Sequence, residues 1–82
     1  MITLPESSLV PLRNQTEPPE KLTHRLDAAE PYWYEQPEAA PSGHFRAGTE
    51  VALLHHQGAH AWVADARGLK VLVRRDRLEE MV

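Results

Sequence analysis

His60-Ala61-Trp62-Val63-Ala64-Asp65 stands at the centre of residues 45–81, where glycines at 48, 58 and 68 separate apolar-rich runs. Alternation within this hexapeptide sets Ala61 and Val63 on one side and Trp62 and Ala64 on the other, the period of a strand. Gln57-Gly58-Ala59 precedes it and Ala66-Arg67-Gly68 follows, both with the composition of tight turns. Residues 49–56 read as the strand before, with Val51, Leu53 and His55 on one face. Residues 69–74 read as the strand after, with Leu69, Val71 and Val73 on one face and Leu72 on the other. Apolar positions on both faces imply that both are partly covered, as in a small barrel. Arg75-Asp76-Arg77 predicts a single 3₁₀ turn, and residues 78–82 a last short strand. Short strands at near-regular spacing predict an all-β sandwich or barrel. Trp62 is the largest apolar side chain of this half. It is expected to be structural, since full burial of a large side chain stabilises by roughly 2–3 kcal/mol.

The remainder obeys different backbone rules. All seven prolines lie at or before Pro41 and all four glycines at or after Gly43. Residues 1–42 carry three Lys/Arg against seven Asp/Glu, and residues 43–82 carry six against five. Proline fixes φ and removes a ladder donor, so residues 1–31 are expected to form an extended, acidic, proline-rich arm, partly disordered or with one short helix. Leu22, Leu26 and Ala29 have helical spacing over residues 21–30, ended by Pro31; an irregular or β-like segment is the alternative. Leu9-Val10-Pro11-Leu12 could dock on the barrel or on a partner as an extended segment. Within Pro31-Tyr32-Trp33-Tyr34, three of the five aromatics are consecutive. In an extended chain Tyr32 and Tyr34 face one way and Trp33 the other.

Eighty-two residues allow one domain at most. There is no cysteine, so neither disulfides nor thiolate metal sites are available. No apolar run is long enough to span a bilayer, and residues 1–6 lack the basic start and apolar stretch of a signal peptide. The expectation is a cytoplasmic protein without membrane contact and without a cofactor.

The order of these motifs resembles an SH3-like barrel over residues 32–82. Phe45-Arg46-Ala47-Gly48-Thr49-Glu50-Val51-Ala52-Leu53-Leu54 resembles that family's L-x-F-x-x-G-D-x-I-x-V-L motif. Ala61-Trp62-Val63-Ala64 resembles its W-W-x-A strand, and Leu78-Glu79-Glu80-Met81 its Y-V-E-x-I ending. Gly68 stands where the glycine before the fourth strand does, Leu72-Val73 where that strand continues, and Tyr34 where the first-strand aromatic does. Bacterial SH3-like modules share the outline. The resemblance implies about five antiparallel strands. It also implies a groove of aromatics for proline-rich peptides, but Ala61 replaces the groove tryptophan, and Arg74 and Arg77 replace the groove proline and tyrosine. The aromatic shelf is therefore expected to be missing.

Three function classes follow. The first is a non-catalytic interaction module or small accessory subunit, binding another protein or a second copy of itself through Tyr32, Trp33, Tyr34, Arg74 and Arg77, since tyrosine, tryptophan and arginine are typical anchors. The second is a nucleic-acid-binding barrel using Arg67, Lys70, Arg74, Arg75 and Arg77 against phosphates. Asp76, Glu79 and Glu80 dilute that patch, and the pI is near 5.9. The third is a metal site or hydrolase at His55, His56 and His60, with Glu50 or Asp65 adding a carboxylate. Strand neighbours point to opposite faces, so His55 and His56 cannot easily share an ion. No metal is expected. No nucleophile is flanked by a base, and the chain is not expected to be an enzyme.

Overall fold

The structure is a computed structural model and describes residues 10–81. It is all-β. In chain order the strands are β1 (His24–Leu26), β2 (Glu30–Tyr32), β3 (Gly43–Phe45), β4 (Glu50–Gln57), β5 (His60–Asp65), β6 (Lys70–Arg74) and β7 (Leu78–Glu80). Single 3₁₀ turns occupy Leu12–Asn14 and Arg75–Arg77. A five-stranded antiparallel sheet has the order β6-β5-β4-β1-β7, and β2 and β3 form a separate two-stranded hairpin. No ladder among the described residues joins β6 to β7, so the sheet does not close as a barrel. Instead the chain beyond β2 lies against β6: Trp33 and Leu72 each donate N–H to the other's carbonyl at 2.9 Å. Among the described residues no helix is long and apolar enough to cross a membrane.

The central meander follows the alternation of its side chains. Val51, Val63, Val71 and Val73 are fully buried with Leu26 and Phe45 in one cluster, and β-branched residues suit the pleated surface. Leu53 pairs with Val63, and the register then slips so that His55 meets Trp62. The extra residue of this bulge, Leu54, points into solvent. Leu72 and Ala64 are buried on the opposite face, as expected for a sheet covered on both sides.

Barrel closure is not the only expectation corrected. Of the two alternatives for residues 21–30 the helix does not form and the β-like one does: β1 sits between β4 and β7. Thr23 N–H donates to the Val51 carbonyl and Met81 N–H to the Thr23 carbonyl. Ladder bonds on both sides outweigh a helical period that lacks a cap. Trp62 is only half-buried. Its indole N–H donates to Gln57 Oε1 at 2.8 Å and Lys70 Nζ stands 5.5 Å from its ring centroid. Trp33 is the buried tryptophan, 8 % exposed. Alternation separates the faces but does not say which one a neighbouring segment covers.

The β5–β6 turn also carries the arm. Asp65 Oδ1 accepts the N–H groups of Arg67 and Leu69 at 2.9 and 3.0 Å, an Asx-type turn. Gly68 has φ +91° and lies flat against the incoming chain: Thr16 N–H donates to its carbonyl at 2.8 Å. A Cβ at Gly68 would overlap the Thr16 carbonyl oxygen, whereas one at Gly58, also at positive φ in the two-residue β4–β5 turn, would meet nothing. Both Gly→Ala changes incur the left-handed penalty of about 1–2 kcal/mol, and Gly68→Ala must displace the arm as well. Gly68→Ala is expected to lower the thermal midpoint clearly more than Gly58→Ala, and equal shifts would show that residues 16–18 do not lie on this turn.

Candidate functional site

An open groove of about 640 Å³ runs between the β2–β3 hairpin with the start of β4 on one side and the β5–β6 turn on the other. Its floor is aromatic and aliphatic. Phe45 is 6 % exposed, and the Tyr32 and Phe45 rings lie 4.8 Å apart at 45°. Leu69 and Leu22 extend this surface. Tyr32 can lie flat because Gly43 faces it; a Cβ there would overlap the Tyr32 hydroxyl.

The rim is polar and is set by two turns. On the first, Gly48 at φ +86° donates N–H to the Leu26 carbonyl at 2.6 Å. The Arg46 carbonyl accepts the N–H and the hydroxyl of Thr49 at 3.1 and 2.6 Å. A glycine at positive φ in the third position is the signature of a type II turn. It fixes the backbone from which Arg46 reaches over the groove. On the second, Asp65 is 5 % exposed. Its carboxylate is held by the two turn N–H groups and by the Arg67 guanidinium at 3.4 Å. His44, Thr49, Glu50 and Ala66 complete the rim.

The five residues singled out from sequence lie along the seam of β2 and β6, in unequal positions. Tyr32 and Tyr34 are half-buried against the core, their rings 6.0 Å apart. Trp33 faces the other way and is enclosed: its indole N–H donates to the Ala39 carbonyl at 2.9 Å and its ring meets His60 edge-on at 5.6 Å. Arg74 and Arg77 converge on the buried Glu30, at 2.5 and 3.8 Å. The hydrogen bond and the charge of Glu30 raise the Arg74 pKa further above its ordinary value. The structure thus joins Arg74 and Arg77 in one ion cluster on β2, and brings only Tyr32 of the five into the groove. Of the other cations, Arg67 pairs with Asp65 and Lys70 lies by the Trp62 ring.

The histidines separate along the β4–β5 hairpin. His55 stands opposite Trp62, His56 opposite Ala61 and His60 opposite Gln57. Among the described residues no three His, Asp or Glu side chains gather as metal ligands.

Two elements escape sequence reasoning. Asn14 is fully buried, and its Nδ2 donates to the carbonyls of Tyr34 and Lys70, both at 2.8 Å. It holds the arm, the end of the β2 segment and β6 together. The groove is the other: its walls come from four separate stretches, and only the flanking turn glycines Gly48 and Gly68 mark them in the sequence. Of the docking segment Leu9-Val10-Pro11-Leu12, Leu9 lies outside the described residues, and Leu12 is 84 % exposed. Comparisons with protein families, with curated proteins and with solved structures return no match for this chain.

Proposed function

We propose that this chain is a non-catalytic protein-interaction module of SH3-like outline, working in the cytoplasm, whose groove receives an extended segment of a partner protein. The observation that carries the reading is the groove itself: an apolar, partly aromatic floor inside a polar, charged rim. That is the layout of a recognition surface, where apolar area supplies affinity and rim groups fix orientation. The SH3-like outline is supported by the antiparallel order of the five strands and by the 3₁₀ turn Arg75–Arg77 before β7. Ala61, where the resemblance places the groove tryptophan, is fully buried. The ligand surface is therefore assigned to the opposite end of the hairpin system, near Phe45 and Ala66. Against the arginine-rich turn as the principal surface, Arg74 and Arg77 already share the carboxylate of Glu30.

Display of a random peptide library against the purified chain tests this. Ala66 is exposed on the rim, so Ala66→Trp fills the groove from outside without touching the core. Selected peptides are expected to lose affinity by about tenfold or more, roughly 1.4 kcal/mol, on Ala66→Trp, and to bind Arg75→Glu as they bind the wild type. Peptides indifferent to Ala66→Trp, or a selection that yields none, would overturn the assignment.

A further inference from the structure

We infer that the segment taken by this groove is acidic, with a carboxylate seated on Arg46 beside an aliphatic side chain on the Phe45–Leu69 floor; the inference rests on the interaction reading above. The charges along the rim are unequally committed. Asp65 is spent on its own turn: Oδ1 accepts two backbone N–H groups and Oδ2 faces Arg67. Its carboxylate is buried, and its charge is offset at close range by the Arg67 guanidinium. Glu50 stands directly opposite Arg25 in the β1–β4 ladder, but the ion pairs of Arg25 among the described residues go to Asp27 and Glu79. Of the two acidic groups of the rim, Asp65 is therefore the one that is ion-paired among the described residues.

The basic side chains on the hairpin side are different. Arg46 and His44 are exposed, line the groove, and make no ion pair among the described residues. The Arg46 backbone is held by the Gly48 turn, so its guanidinium starts from a fixed point. A guanidinium presents a planar fork that matches a carboxylate in two parallel hydrogen bonds. His44 sits two residues from Arg46, on the same side of the extended chain, and its imidazole is a second donor for a neighbouring acid. Beside this pair the floor is apolar. The occupant that satisfies both is an extended segment in which an Asp or Glu alternates with an aliphatic residue. A basic segment would set like charges against Arg46.

The peptides selected above decide the matter. Those whose binding depends on the groove are expected to be enriched in Asp and Glu. Replacing the key acid by its amide should weaken binding about tenfold or more, and rising salt should weaken it progressively. Arg46→Glu should lose the acidic peptides and gain their lysine-substituted counterparts, a charge exchange that a mere structural defect would not produce. Groove-dependent peptides that are neutral or basic, or that bind Arg46→Glu unchanged, overturn the acidic assignment and leave the groove reading standing. Peptides insensitive to Ala66→Trp remove the groove reading, and this inference with it.

Discussion

Replacing Trp33 by alanine is expected to lower the unfolding free energy by about 3–5 kcal/mol, the range for deleting a buried aromatic side chain. For a domain of this size each kcal/mol moves the thermal midpoint by roughly 4–8 °C. Three losses combine. The indole leaves a cavity where it was 8 % exposed, the N–H bond to the Ala39 carbonyl disappears, and His60 loses its ring partner. The backbone bridge to Leu72 is kept only if the emptied site does not collapse. Trp33→Phe retains most of the ring and is expected to lose much less. Urea unfolding followed by far-UV circular dichroism measures both. A change below about 1 kcal/mol for Trp33→Ala would place the indole in solvent, and the Tyr32-Trp33-Tyr34 run would again be a candidate contact surface.

Asn14→Ala is expected to remove about 2–4 kcal/mol. Each carbonyl left without its donor costs a desolvation penalty of about 1–3 kcal/mol, and two of them in the lower half of that range give this loss. The two acceptors, Tyr34 and Lys70, belong to segments far apart in sequence, so one amide ties the arm to the segment after β2 and to β6. Asn14 Oδ1 is buried without a donor among the described residues, which marks Nδ2 as the working atom. Asn14→Asp keeps the shape but has no donor and turns a carboxylate onto two carbonyl oxygens; it is expected to destabilise at least as much as alanine. Chemical denaturation gives the energies, and hydrogen exchange at the Thr16 amide, bonded to the Gly68 carbonyl, reports the arm. A loss under about 0.5 kcal/mol with Thr16 exchange unchanged would show that Asn14 does not hold the arm in place.

What could be read in advance was local. The strand at residues 60–65, its two flanking turns and the 3₁₀ turn at Arg75–Arg77 all follow from alternation, glycine and charge within a few residues. What depends on distant partners could not be read so. Leu22 and Leu26 fit a helical face as well as they fit β1; the ladders to β4 and β7 decide, and those strands lie downstream. Pro31 argues against a strand by its missing N–H, yet β2 accommodates it opposite His44 in a two-stranded hairpin. Asn14 carries no mark in a proline-rich stretch, because its two acceptors are backbone atoms of Tyr34 and Lys70. Arg74 and Arg77 looked available for a partner because Glu30, which holds them, lies forty-four residues before Arg74. The groove depends in the same way on residues 44–50 meeting 65–69, which two glycine turns permit but do not dictate.

The location of the recognition surface is tested most directly by two-dimensional amide NMR of the labelled chain titrated with a selected acidic peptide. Shifts concentrated at His44, Phe45, Arg46 and Thr49, and across the groove at Ala66 and Arg67, are the expected result. Shifts concentrated at Arg74, Arg75 and Arg77 or along β7, with residues 44–50 and 65–69 unmoved, would contradict it.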